Sequence, residues 1–144
     1  MRASLAISII MLALLGCNRS NAPVITTPTA AQISEFTRNA SITLPASALP
    51  IGWRELRSMD DALWLQVRMP ARDLQTFLDS SPFRTATLMT NDQYRVSQFQ
   101  EFFTTPPVHY RAGQQELPNA RVLNIVIDES DTTNVVIYLM WHET

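Results

Sequence analysis

The chain has 144 residues, with 13 acidic side chains, 11 arginines, no lysine and one cysteine, and its formal net charge is −2. Nucleic-acid binding calls for basic residues clustered on one face, so this near-neutral balance argues against a nucleic acid as the partner. Electrostatic binding to anionic lipid headgroups is disfavoured too, because it requires a polybasic segment. A single cysteine excludes an internal disulfide bond.

The first residues have the pattern of an export signal. Arg2 supplies a positive charge, and residues 5–15 form an apolar run that ends at Gly16 and Cys17. The run is too short to cross a bilayer, because a transmembrane helix needs about 20 apolar residues. Its length is typical of the apolar region of a signal peptide.

An ordinary secretory cleavage site is the competing interpretation, and it requires small residues at two positions before the cut. For a cut before Cys17, Gly16 satisfies one position, but Leu14 fails the other. A cut after Ala22 would place Pro23 directly downstream, which makes a poor substrate for that peptidase. The ordinary site therefore fits less well.

The segment Leu14-Leu15-Gly16-Cys17 resembles the lipobox of bacterial lipoprotein precursors. In that family the cysteine thiol receives a diacylglycerol, a dedicated peptidase cuts before the cysteine, and the new amino terminus is often acylated. The resemblance implies removal of residues 1–16 and lipidation of Cys17, with no other cofactor. Two or more acyl chains hold a protein stably on a bilayer, so we expect the membrane to be a partner through this anchor.

The residue after the cysteine carries a sorting signal in enteric bacteria, where aspartate favours retention at the inner membrane. This chain has Asn18 at that position. The resemblance therefore implies a location in the cell envelope, on the inner leaflet of the outer membrane if the host is Gram-negative.

We expect three parts along the chain. Residues 1–16 are the signal peptide, and residues 17–28 are the lipidated cysteine and a polar, proline-containing tether. The 11 tether residues after Cys17 span at most about 35 to 40 Å. Residues 29–144 have the size of one ordinary domain.

The first half of this domain predicts a helix, a hairpin and a second helix. Thr29 and Gln32 have the spacing of a capping box, ahead of a candidate first strand at 41–44. Residues 52–58 and 62–69 predict a β-hairpin, since apolar residues alternate in the second segment and acidic residues suit the turn between them. A helix should follow, because Pro70 suits a first helical turn, Asp73 suits the positive end of the helix dipole, and apolar residues recur at helical spacing at Leu74, Phe77 and Leu78. The sequence Ser80-Ser81-Pro82 should end this helix.

The second half predicts another hairpin. Residues 91–103 have an interrupted helical stripe, and residues 122–127 and 135–141 are apolar runs joined by a polar loop. The last run is apolar on both faces, which places it centrally in the sheet. We expect an α+β domain, an antiparallel sheet of about four to five strands with one to three helices packed on one face.

Two groups of residues are candidates for partner contact. Trp53, Arg54 and Arg57 belong to residue types enriched at binding hot spots. The alternative is that Trp53 covers the sheet while Arg54, Glu55 and Arg57 pair across strands. His109 and Tyr110 follow two prolines in a segment that suits recognition, and the alternative for His109 is a solvated loop histidine.

The sequence carries no motif of a known enzyme class. Downstream of Cys17 the only glycines are Gly52 and Gly113, which disfavours phosphate-binding loops and nucleophile elbows. The two histidines, His109 and His142, are too few and too far apart in sequence for a recognisable metal site. We therefore expect no metal.

The stretch from Ile42–Ala48 through Asp61–Leu65 to Met69–Leu74 is loosely similar to uncharacterised small bacterial lipoproteins, which implies no functional residue. We expect a lipid-anchored, non-enzymatic envelope protein that binds an envelope protein or another envelope component. The alternative is a lipid-tethered hydrolase or processing enzyme that uses His109 with a distant serine or acid. A purely structural accessory is the third hypothesis.

Overall fold

The computed structural model describes residues 25–144, and the predictions for the signal peptide and for Cys17 lie outside this range. Within it, all strand pairs are antiparallel, in the order β1-β2-β5-β4-β3. The predicted α+β class with an antiparallel sheet is confirmed. The helices are α1 (Ala30–Ala40), α2 (Leu74–Asp79) and α3 (Gln93–Ser97), the strands are β1 (Leu49–Leu56), β2 (Ala62–Pro70), β3 (Tyr110–Leu117), β4 (Arg121–Asp128) and β5 (Asn134–Glu143), and short 3₁₀ turns span Ala71–Asp73, Pro82–Thr85 and Gln100–Phe102.

Strand β5 lies at the centre of the sheet, as its sequence predicts. It pairs with β2 on one side and with β4 on the other, so that Leu139 lies between Leu65 and Ile125. Every residue from Val135 to Trp141 is buried except Val136, which is half-buried. β-Branched and aromatic side chains suit a strand that is covered on both faces.

The main face of the sheet packs against α1 and α2. Alternate strand residues point to this face, where they meet Phe36 of α1 and Phe77 of α2. The ring of Trp53 contacts Phe36 edge-on, with 6.3 Å between centroids. The strand residues of this core are Leu63, Leu65, Val67, Met69, Leu123, Ile125, Ile127, Val135, Ile137, Leu139 and Trp141.

The opposite face, here called the second face, carries its own apolar cluster. The rings of Phe99, Phe102 and Phe103, all from the turn after α3, surround Tyr138 at centroid distances of 6.1, 6.3 and 4.8 Å. Our prediction placed the helices on one face, whereas α3 lies on the second face. The reason is that β5 is apolar on both faces, and without a cover the side chains of Tyr138 and Met140 would remain in water.

Short bridges protect both edge strands. Thr26 exchanges two backbone hydrogen bonds with Trp53 of β1, at 2.7 and 3.0 Å, and Met89 exchanges two with Ala112 of β3, both at 2.8 Å. Such bridges shield the centre of an edge that would otherwise offer unpaired backbone groups to another chain. Thr26 belongs to the predicted tether 17–28, so the sheet takes up the last residues of that segment.

The local signals for α1 and for the first hairpin are confirmed. The backbone N–H of Gln32 donates to the Thr29 hydroxyl at 3.3 Å, and the backbone N–H of Thr29 donates to the Gln32 side chain at 2.9 Å, which completes the capping box. The β1–β2 hairpin and the helix after Pro70 also form as predicted. These signals act within a few residues, which is why the sequence alone suffices to read them.

The predicted strand at Ser41–Leu44 is wrong. Ser41 instead ends α1 in a left-handed conformation, and the N–H of Ile42 donates back to the carbonyl of Thr37 at 3.0 Å. The buried Ile42 then packs in the main core. Its apolar character, which suggested a strand, serves a helix end instead.

The sequence does not predict strand β3, because half of its residues are polar or charged. It forms because it pairs along its whole length with β4. A Cβ atom on Gly113 would lie 2.6 Å from the Leu88 side chain and 3.0 Å from the Thr87 carbonyl oxygen. Glycine therefore permits the close approach of the segment that bridges this edge.

Replacing Ser41 with glycine should stabilise the fold. With φ 54° and ψ 43°, Ser41 is held in a conformation that costs a non-glycine residue about 1–2 kcal/mol. We expect the free energy of unfolding to rise by about 0.5–1 kcal/mol, since the greater entropy of unfolded glycine offsets part of the gain. Chemical denaturation measures the change. The control Ser34→Gly, at an exposed site within α1, should lower stability by about 0.5 kcal/mol, and a loss in both variants would contradict the assignment.

Candidate partner-contact site

Trp53 does not lie at the surface. Its side chain is 2% exposed and packs against Phe36 in the main core, while its backbone pairs with Thr26 outside and with Leu65 inside the sheet. Our prediction of Trp53 as a contact residue is therefore corrected. The physical reason is the alternation of the strand, which turns this ring inward and its neighbour Arg54 to the second face.

Arg54 contacts other residues of the domain rather than open solvent. Its guanidinium lies 4.2 Å from the ring centroid of Trp64, its cross-strand neighbour, in a cation–π arrangement. Its Nε atom is 3.0 Å from a carboxylate oxygen of Glu101, and 15% of its side chain is exposed. Arg54 thus joins the edge strand β1 to the cover of the second face.

Arg57 lies at the end of the β1–β2 hairpin among three carboxylates. Its guanidinium is 2.7 Å from Glu35 of α1, 3.2 Å from Asp61 and 3.5 Å from Glu55. The hydrogen bond to Glu35 is the largest cause that raises the pKa of Arg57, and the bond to Asp61 adds to it. Exposed ion pairs stabilise a fold only weakly, so this network mainly orients α1 against the hairpin. Trp53 thus covers the sheet, whereas the ion pairs of Arg54 and Arg57 run to the turn after α3, to α1 and to the hairpin turn rather than across strands.

His109 lies in an open groove at the start of β3. The groove has a volume of about 360 Å³ and is lined by Thr90, Val108, His109, Tyr110, Arg111 and Glu129. His109 is exposed, and 77% of the Val108 side chain is exposed as well. The groove therefore presents an imidazole and an isopropyl group together.

The floor of this groove is held by hydrogen bonds and an ion pair. Tyr110 is buried, and its hydroxyl accepts a hydrogen bond from the Gln93 side chain at 2.9 Å. Arg111 donates to both carboxylate oxygens of Glu129, at 2.8 and 2.9 Å, and the backbone N–H of Glu129 donates to the His109 carbonyl at 2.9 Å. Tyr110, predicted as a contact residue, lines the groove but is 7% exposed, so it offers a partner little surface.

The loop between β4 and β5 fixes the position of Glu129. The Asp131 carboxylate accepts hydrogen bonds from the backbone N–H and the hydroxyl of Thr133, at 2.7 and 2.8 Å. The bond from the Thr133 N–H is the largest cause that lowers the pKa of Asp131. Asp128 accepts in the same manner from the N–H of Ser130 at 3.0 Å. These hydrogen bonds hold the loop in two defined turns.

The chemistry available to His109 is limited by these contacts. The groove brings Thr90 and Glu129 near the histidine, which sequence reasoning did not find because they come from distant segments. Glu129 is engaged with Arg111 through both oxygens, so it is poorly placed to orient an imidazole as the acid of a catalytic triad does. His142 pairs with Ala62 and lies at the other end of the sheet from His109, about 20 Å away by strand rise.

Among residues 25–144, no group of three or more histidine, cysteine, aspartate or glutamate side chains is arranged to hold a metal ion. Comparison with protein-family models, with curated proteins and with solved structures gives no significant match. None of the helices in this part of the chain has the length and apolar character needed to span a membrane. The site is therefore interpreted from its geometry.

Substitution of Trp53 should separate a core residue from a contact residue. We expect Trp53→Ala to lower the free energy of unfolding by about 3–5 kcal/mol, because it removes a buried ring from the main core. Met59, whose side chain is 95% exposed, provides the control, and Met59→Ala should change stability by less than about 0.5 kcal/mol. Denaturant titration of both variants measures this. A stable Trp53→Ala protein would contradict the burial of the ring.

Proposed function

We propose that this protein is a lipid-anchored component of the bacterial cell envelope that binds another envelope protein and is not an enzyme. The observation that carries the proposal is the sequence Leu14-Leu15-Gly16-Cys17 at the end of a short apolar run. It resembles a lipobox, and acylation accounts for a single cysteine in an exported chain. Asn18 favours the inner leaflet of the outer membrane if the host has one.

The pairing of Thr26 with Trp53 limits how far the domain can stand from the membrane. Nine residues lead from Cys17 to Thr26, and a fully extended chain of that length reaches about 30 Å. A lipid on Cys17 would therefore keep the domain within about 30 Å of the bilayer. That distance suits a partner embedded in, or attached to, the same membrane.

The groove at His109 is the surface that we propose for the partner. Val108 and His109 are exposed there, and the charges of Arg111 and Glu129 compensate each other. A partner needs no strong charge to approach such a surface, and its apolar side chain can cover Val108. Two further apolar side chains, Met89 and Tyr94, are 43% and 72% exposed in the segment before β3.

The second candidate is a lipid-tethered hydrolase that uses His109. The observation in its favour is that Thr90, His109 and Glu129 line one groove. The bidentate pair between Arg111 and Glu129 weighs against it, because breaking that pair would leave two charges without their partner. Binding therefore requires fewer changes in the groove than catalysis does.

The lipid anchor is tested by Cys17→Ser in the native host. We expect the wild-type protein to remain with the membrane and its intact mass to equal residues 17–144 plus the acyl groups. The variant should keep residues 1–16 and carry no lipid, since it lacks the thiol. Ser20→Ala leaves the lipobox intact and should behave as the wild type. A wild-type intact mass equal to the mass calculated without acyl groups would refute the anchor.

The groove is tested by a photo-crosslinking side chain placed at Val108 in intact cells. We expect a covalent adduct with one envelope protein from position 108, and none from position 59, where Met59 is apolar and even more exposed, at the far end of the sheet. The His109→Ala variant is then tested in a deletion strain. If it abolishes function but still forms the adduct, the hydrolase is favoured. An adduct from position 59 alone would contradict the groove and place the partner contact at the β1–β2 turn.

A further inference from the structure

Five side chains of the second face form one row across the sheet. The strand register aligns Arg54, Trp64, Met140, Asn124 and Gln114, from β1 through β2, β5 and β4 to β3. Residues directly opposite one another in a sheet point to the same face. The middle of this row lies beneath α3 and the turn that follows it.

Asn124 is an unusual member of this row. Its side chain is 1% exposed, and neither its Oδ1 nor its Nδ2 atom forms a hydrogen bond with any residue from 25 to 144. Its neighbours in β4 on the same face, Val122 and Val126, are apolar and buried. Buried amides without partners are rare, and each one calls for an explanation.

Two contacts place α3 above Asn124. Arg95 donates from Nη2 to the Gln114 side chain at 3.2 Å, and Gln114 lies directly opposite Asn124. The Trp64 indole N–H donates to the backbone carbonyl of Gln98, the residue that follows α3, at 3.3 Å from the other side of the row. Because Arg95 and Gln98 are one helical turn apart, both face the sheet over β4 and β5.

Both of these residues also have a buried polar atom without a partner in the described part of the chain. These atoms are the Nε of Arg95, which donates, and the Oε1 of Gln98, which accepts. Together with the Asn124 amide they provide donors and acceptors on either side of one interface. A cation is excluded by the Arg95 guanidinium, and an anion is disfavoured by the amide oxygens and by Asp92, whose carboxylate pairs with Arg95.

We infer that Arg95, Gln98 and Asn124 form a buried hydration site, which binds one or two ordered water molecules between α3 and the second face. A water molecule donates and accepts two hydrogen bonds each, and buried waters make about three to polar groups that lack other partners. The Nε of Arg95, the Oε1 of Gln98 and the amide of Asn124 supply donors and acceptors of this kind. Water therefore joins α3 to the sheet beside the aromatic cluster around Tyr138.

The full-length protein in detergent micelles is suited to a direct test by NMR. We expect nuclear Overhauser cross-peaks between a long-lived water molecule and the Asn124 side-chain amide protons. Their sign should be that of a water molecule tumbling with the protein. Asn119, an exposed asparagine in the β3–β4 turn, provides the control and should show none. The absence of such cross-peaks at Asn124 would overturn the inference.

A double-mutant cycle gives a second readout. Asn124→Leu and Gln98→Leu should each lower the folding equilibrium constant by about tenfold. The double variant should lower it by at least about fivefold less than the product of the two effects, since both variants remove partners from the same hydration site. Additive effects would overturn the inference. A high-resolution crystal structure that shows Asn124 bonded directly to Arg95 or Gln98 would do so as well, even if a variant fails to fold.

Discussion

The structure depends on the pairing of β5 between β2 and β4. This strand is apolar on both faces, and burial of both faces contributes the hydrophobic free energy that orders the sheet. One face needs α1 and α2, and the other needs α3 with the aromatic residues that follow it. The positions of the helices, the aromatic cluster around Tyr138 and the polar row containing Asn124 all follow from this requirement.

The charged residues are used mainly to join elements. Arg54 connects β1 with the cover of the second face, Arg57 connects the hairpin with α1, and Arg111 connects β3 with the loop after β4. Arginine suits these positions because its planar guanidinium can stack on a ring or bind two carboxylate oxygens at once. A chain without lysine thus uses several of its cations inside the domain, and the exposed groove at His109 is left close to neutral.

The proposed anchor and the proposed groove lie in different parts of the molecule. A lipid on Cys17 would limit the distance to the membrane through the short segment that ends at Thr26. The groove lies at the opposite edge strand, where Val108 and His109 are exposed beside a rigid ion pair. Anchoring would therefore leave this edge accessible to a neighbour on the same membrane, which is the arrangement that a binding protein requires.

The sequence by itself determined the features that act over short distances: the capping box at Thr29, the β1–β2 and β4–β5 hairpins, the central position of β5 and the antiparallel α+β class. It also provides the whole basis for the lipobox interpretation. Only the tertiary structure decided that Trp53 is buried, that polar β3 joins the sheet, and that Glu129 reaches His109. The physical reason is that alternation and capping are local, whereas burial and side-chain pairing depend on which distant segments the sheet brings together.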